Sequence, residues 1–126
     1  MARVAIVDDD RSVLNALARQ LRATGLEVWP FESGLEFLSA IETDLPDCLL
    51  LDIRMPGIGG FELQRRLQER GIRVPTVIIT AHDEPQIRER VSALGAGFLS
   101  KPFSAQALRE RMAEVCGILS GSIPRA

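Results

Sequence analysis

Three apolar, strand-like runs in this sequence each lead into residues that could do chemistry. Val4 to Val7 runs into Asp8, Asp9 and Asp10, Leu49 to Leu51 into Asp52, and Phe98 and Leu99 pass through Ser100 to Lys101. A fourth run, Val77 to Ile79, ends on the hydroxyl of Thr80. Carboxylates, a hydroxyl and an ammonium suit a hard divalent cation and a phosphoryl group, and one carboxylate can serve as nucleophile. Residues so far apart in sequence meet if the four runs are parallel strands of one sheet. Ligands of open α/β sheets bind in the crevice outside the carboxyl ends of the strands.

Crowding of Asp8, Asp9 and Asp52 needs compensation, because like charges ~5 Å apart repel by about 3 kcal/mol per pair at an effective dielectric near 20. Mg²⁺ suits a sparse oxygen site that keeps several waters and adds a phosphate oxygen. Asp10 has a simpler role as the N-cap of the first helix. The loop Ile53-Arg54-Met55-Pro56-Gly57-Ile58-Gly59-Gly60 after Asp52 is rich in Pro and Gly, a tight path able to turn the Arg54 carbonyl toward a metal. Pro102 restricts the backbone of Lys101 and holds its long cationic side chain at a fixed strand end.

The elements that must position these groups alternate regularly. Apolar runs predict strands near 3–7, 26–30, 47–52, 74–80 and 97–100, separated by helices over 11–24, 34–42, 60–70, 84–94 and 104–117. Val13, Leu14, Leu17, Ala18 and Leu21 recur at helical spacing, as do Leu108, Met112, Val115 and Leu119. Gly25 and Gly71 read as helix stops and Ser104 as an N-cap. Five βα units on short connections imply a doubly wound α/β fold, a five-stranded parallel sheet with helices on both faces. Leu49–Leu51 and Val77–Ile79, apolar without alternation, mark central strands. Trp29 reads as packing, and Pro30 fits a strand end.

The chain has 126 residues, room for one core and one site, and a formal net charge of −2 gives no basic excess for nucleic acid. Asp8 cuts the first apolar run far short of a signal peptide or membrane span, so the expectation is a soluble cytoplasmic protein without membrane contact. Cys48 in an apolar run and Cys116 in the last helix have no metal-ligand spacing and read as two reduced, core-like thiols.

Four pieces in order carry a resemblance: Ile6-Val7-Asp8-Asp9-Asp10, Leu51-Asp52-Ile53-Arg54-Met55-Pro56-Gly57, Ile78-Ile79-Thr80-Ala81 and Phe98-Leu99-Ser100-Lys101-Pro102-Phe103. Over nearly its whole length the chain resembles a CheY-like receiver domain of a two-component response regulator, with a flavodoxin-like (βα)5 sandwich. The run Gly59 to Leu67 and the Thr80-Ala81-His82 turn look closest to the FixJ-type branch. The resemblance implies that Asp52 is the phosphoacceptor, that Asp8, Asp9, Asp52 and the Arg54 carbonyl hold Mg²⁺, and that Thr80 and Lys101 contact the phosphoryl oxygens. It also implies a conformational switch through Thr80 and Phe98, and tuning of phosphate lifetime by Arg54 and His82. The implied partner is a histidine kinase or phosphotransfer protein, with a homodimer possible on phosphorylation.

The chain departs from that pattern between Thr80 and Lys101, where it is one residue shorter near Leu94-Gly95-Ala96-Gly97. This bears on the helix 4, strand 5, helix 5 face, the output and dimerisation surface of similar receivers. Two rival readings are a phosphorylation-independent interaction module and a Mg²⁺-dependent aspartyl-phosphate phosphatase. The latter usually has an acid two residues after its nucleophile, where this chain has Arg54. The expected organisation is a receiver over residues 1–119 and a tail or start of a linker over 120–126.

Overall fold

The computed structural model describes residues 2–118. Five strands, β1 (Arg3–Val7), β2 (Glu27–Phe31), β3 (Cys48–Leu51), β4 (Thr76–Thr80) and β5 (Gly97–Ser100), alternate with five helices. The helices are α1 (Arg11–Arg22), α2 (Gly34–Ala40), α3 (Gly60–Glu69), α4 (Pro85–Ala93) and α5 (Ala105–Cys116). All strand pairs are parallel and the sheet order is β2-β1-β3-β4-β5. The direction of winding reverses between β1 and β3, and a crevice opens there at the carboxyl edge. That is where Asp8 and Asp52 emerge.

Each strand's two faces feed a different core. Val4, Ile6, Leu50, Val77 and Ile79 pack with Leu14, Leu17 and Leu21 of α1 and Leu108 and Met112 of α5. On the other face Ala5, Val7, Leu49, Leu51 and Ile78 meet Phe37, Leu63, Leu67 and Val91 from α2, α3 and α4. Every residue of β3 and β4 is buried, as the unbroken apolar runs predict. Edge strand β2 tolerates Pro30, which is exposed, and Trp29 lies half-buried beneath the Arg3 guanidinium with its indole N–H donated to Glu27.

Local signals set the element ends. Asp10 caps α1 by accepting from the amides of Ser12 and Val13, and Ser104 caps α5 by accepting from Ala107. Gly25 and Gly71, at φ 92 and 69, turn the chain after α1 and α3. Strand β4 starts at Thr76, later than the predicted 74, because Pro75 has no amide hydrogen for the ladder and contributes only its carbonyl, to Leu49. Strand β2 lies one residue later than predicted, in register with β1 from Arg3 opposite Glu27.

One expectation is overturned. Cys48 and Cys116 are not separate reduced thiols: a disulfide joins them, with Cα atoms 5.6 Å apart. Their separation of 68 residues hid the contact. The first residue of β3 and the last of α5 meet only once α5 has packed across the sheet. Leu119 and the tail over 120–126 lie outside the described residues.

Candidate functional site

Asp8 directly follows β1, and its amide continues the ladder by donating to the Phe31 carbonyl at 3.1 Å. The Asp52 amide does the same to Val7 at 3.0 Å, and the Lys101 amide to Thr80 at 2.9 Å. The sheet therefore fixes the backbones of all three, and the side chains converge above the β1–β3 edge. Lys101 Nζ stands 2.9 Å from Asp8 Oδ2 and 3.6 Å from Asp52 Oδ2. Asp8 Oδ1 accepts from the Asp10 amide and Asp52 Oδ1 from the Ile53 amide, at 2.9 and 2.8 Å. The Lys101–Pro102 peptide is cis.

The loop after Asp52 depends on missing side chains. A Cβ on Gly60 would lie 2.6 Å from the Asp52 carbonyl oxygen, and one on Gly59 2.7 Å from that of Ile53. The Gly60 amide donates to the same Ile53 oxygen at 2.7 Å, closing the loop that follows Asp52. The sequence showed a glycine-rich turn, but not that glycine is required by backbone contact.

Burial holds the Asp52 carboxyl above the ordinary carboxylate range, and the neighbouring charge of Asp8 pushes the same way. Lys101 and the Ile53 amide oppose this, and Asp9 adds to it. For Lys101, burial works against the ammonium, but the hydrogen bond to Asp8 and the charges of Asp52 and Asp8 outweigh it and raise its pKa. The ammonium is thus fully charged at neutral pH, and still leaves three carboxylates facing one cation.

A divalent ion fits that imbalance. Asp8, Asp9 and Asp52 can each offer an oxygen, with the ligand atoms within 4.8 Å of one another. Asp8 and Asp52 are buried, whereas Asp9 is exposed and its carboxylate has no hydrogen bond or ion pair among the described residues. An all-oxygen set with one solvent-facing ligand matches Mg²⁺, which retains waters, better than a thiophilic metal.

Thr80 is fully buried, and its Oγ1 accepts from the His82 amide at 3.1 Å, leaving the hydroxyl hydrogen free to donate. Phe98 is half-buried on β5, with the Arg88 guanidinium 4.8 Å above its ring. Arg88 also pairs with Asp83 in the β4–α4 loop. Arg54, past Asp52, reaches Glu84 at 3.6 Å, so an ion pair joins the β3–α3 loop to the neighbouring β4–α4 loop. Arg88, Asp83 and Glu84 were not singled out from sequence, where they read as solvated charges; only the fold sets them against Phe98 and Arg54.

An apolar groove of about 530 Å³ runs beside Lys101, lined by Val13, Leu17 and Gln20 of α1 and by Ala81, Pro102 and Phe103. A second cavity of about 580 Å³, around Gln64, Arg73 and Leu94, lies at the amino edge of the sheet, away from the carboxylates.

The response regulator receiver domain model matches residues 4–113. Response regulator MprA of Mycobacterium avium (strain 104) is 41% identical over 113 residues, covering 87% of this chain and 49% of that protein. The chain thus spans about half the length of the curated relatives it matches. A response regulator receiver protein from Burkholderia phymatum superposes with a TM-score of 0.80 at 43% identity, over 94% of this chain and 97% of that one. Response regulator TrrA of Thermotoga maritima, solved in complex with Mg²⁺ and BeF, gives 0.79 at 28% identity, over 90% and 98%. Among the described residues no helix is long and apolar enough to cross a membrane.

Proposed function

Since the chain belongs to the response regulator receiver domain family of two-component systems, we propose that it is a cytoplasmic phosphorylation switch whose acceptor is Asp52. One observation carries the reading. Lys101 Nζ bridges Asp8 and Asp52, within a cluster whose three carboxylate ligand atoms lie within 4.8 Å.

With Oδ1 engaged by the Ile53 amide, Oδ2 of Asp52 is the nucleophile. It attacks the phosphorus of a phosphohistidine on a histidine kinase or phosphotransfer protein; the P–N bond breaks, and the electron pair returns to the imidazole. Lys101 is placed to neutralise charge on the phosphoryl oxygens, and the Thr80 hydroxyl to donate to one of them. Asp8, Asp9, Asp52 and the Arg54 carbonyl would hold Mg²⁺, which when bound supplies a second positive charge to the transferring group. Water attack in line on phosphorus later breaks the P–O bond, releasing inorganic phosphate and restoring the carboxylate.

Because Lys101 belongs both to the carboxylate cluster and to the apolar groove, a donor reaching Asp52 must stand beside that groove. An amphipathic helical face carrying the phosphohistidine fits it. Thr80, moving toward the phosphoryl oxygen, would draw its loop inward and let Phe98 turn in behind it, away from Arg88. Arg54 and His82, at the crevice mouth, would set the access of the hydrolytic water. The FixJ-type placement and dimerisation through α4, β5 and α5 belong to this proposal. The output of any longer chain lies beyond it.

The test is labelling by acetyl phosphate with Mg²⁺. Wild type should take up one acid-stable, base-labile phosphoryl group and Asp52→Asn none. Equal labelling of the variant, or labelling indifferent to chelator, would overturn the proposal, and turnover of external phosphomonoesters would favour a phosphatase.

A further inference from the structure

The Cys48–Cys116 pair stands at the amino edge of β3, the strand whose carboxyl edge leads to Asp52, and plays no part in phosphoryl transfer. Its two sulfurs differ in access. Cys48 is completely buried, within the core shared by α1 and α5, whereas Cys116 is half-buried at the surface and its Sγ approaches the Pro75 carbonyl at 3.7 Å. We propose that this pair is a reversible dithiol–disulfide site, oxidised and reduced by low-molecular-weight thiols and disulfides entering at Cys116, and that its oxidised form pins the last turn of α5 to the sheet.

Starting from the dithiol, Cys116 loses its proton to solvent and attacks one sulfur of a disulfide such as oxidised glutathione. The reagent's S–S bond breaks, and one thiolate leaves with the electron pair. Cys48, deprotonated in turn, attacks the Cys116 sulfur of the mixed disulfide and expels the second thiolate. The protein gives up two electrons and two protons, and the reagent is reduced to two thiols. A small thiolate reverses the sequence by attacking at Cys116, the sulfur it can reach.

The consequence falls on α5. Leu108 and Met112 anchor its first turns in the core, and Arg111 Nε donates to the Phe98 carbonyl at 3.1 Å. One turn further on, the covalent tie is at Cys116, just before Gly117 leaves the helix in the left-handed region at φ 71. Reduction leaves that turn held by the packing of Val115 and Ile118 without the covalent tie and so loosens it, while the rest of the helix stays packed. The inference does not depend on Asp52 accepting a phosphoryl group.

The experiment poises the wild-type protein in a series of glutathione buffers, alkylates free thiols and counts them by intact mass. Both cysteines should be alkylated in reduced buffers and neither in oxidised ones, with return on adding glutathione, and amide exchange at the end of α5 should be faster in the reduced form. Cys48→Ser should acquire glutathione on Cys116, whereas Cys116→Ser should leave the buried Cys48 unmodified. Thiols that stay free throughout, a bond that reduced glutathione leaves intact in the folded protein, a disulfide between chains, or unchanged exchange in α5 would each overturn the proposal.

Discussion

Replacing Asp52 by Asn should make the metal-free protein more stable, although it removes the residue on which function is proposed to depend. The interactions can be worked from the distances. With ligand atoms no more than 4.8 Å apart, Asp8 repels Asp52 by at least about 3 kcal/mol at an effective dielectric near 20, and exposed Asp9 adds about 1 kcal/mol at the dielectric of water. Lys101, 3.6 Å away, attracts it by about 4 to 5 kcal/mol at the same effective dielectric. These terms nearly cancel, leaving burial as the first cause of the raised Asp52 pKa. The native state therefore keeps this proton to higher pH than the unfolded chain does. The stabilisation is complete below the unfolded pKa and is lost as pH rises through the native one, so ionised Asp52 is a net cost at neutral pH. Asn keeps the shape and can still accept from Ile53, so the variant should gain about 1 kcal/mol, or about 4 °C in melting temperature. Calorimetry in chelator should show this gap at neutral pH and its closure on acidification. With Mg²⁺ at ~100 times its dissociation constant the wild type should gain about 2.7 kcal/mol and overtake the variant. A variant less stable than wild type in chelator at neutral pH would refute the reasoning, because Lys101 would then outweigh burial.

Asp9→Ala should fold normally and lose the Mg²⁺-dependent rise in melting temperature, and an unchanged rise would place the ion elsewhere. Gly97→Ala should cost about 1 to 3 kcal/mol in urea unfolding, because its Cβ would lie 2.5 Å from Val115 Cγ2 of α5. NMR titration should find the Glu62 carboxyl at about 2, held down by hydrogen bonds from Arg65 and Arg66. Beryllofluoride with Mg²⁺ should raise the mass seen by light scattering if activation pairs two α4–β5–α5 faces, whereas a constant monomer mass would sink dimerisation.

The fold was legible because its signals were local and redundant. The apolar runs of β3 and β4 are central strands, Asp10 and Ser104 cap the helices assigned to them, and the predicted elements all appear with ends shifted by a residue or two. The carboxylate cluster with Lys101 was legible because parallel topology forces strand-end residues to one edge. Relations set by side-chain reach across loops and helices were hidden. Nothing in the spacing of Arg88 and Phe98, or Arg54 and Glu84, announces a contact, and Cys48 looked like any core thiol until α5 brought Cys116 to it. Predicted strands overran where Pro75 removes a ladder donor, a constraint visible in sequence but underweighted there.

The most direct test of the central claim is to find where the phosphoryl group lands. Protein labelled by acetyl phosphate with Mg²⁺ would be treated with borohydride, which reduces an acyl phosphate to an alcohol, then digested and sequenced by mass spectrometry. The alcohol should be found at position 52 and only in the labelled sample. Reduction at Asp8 or Asp9, or a stable label with no reducible acyl phosphate, would contradict the assignment of Asp52 as the acceptor.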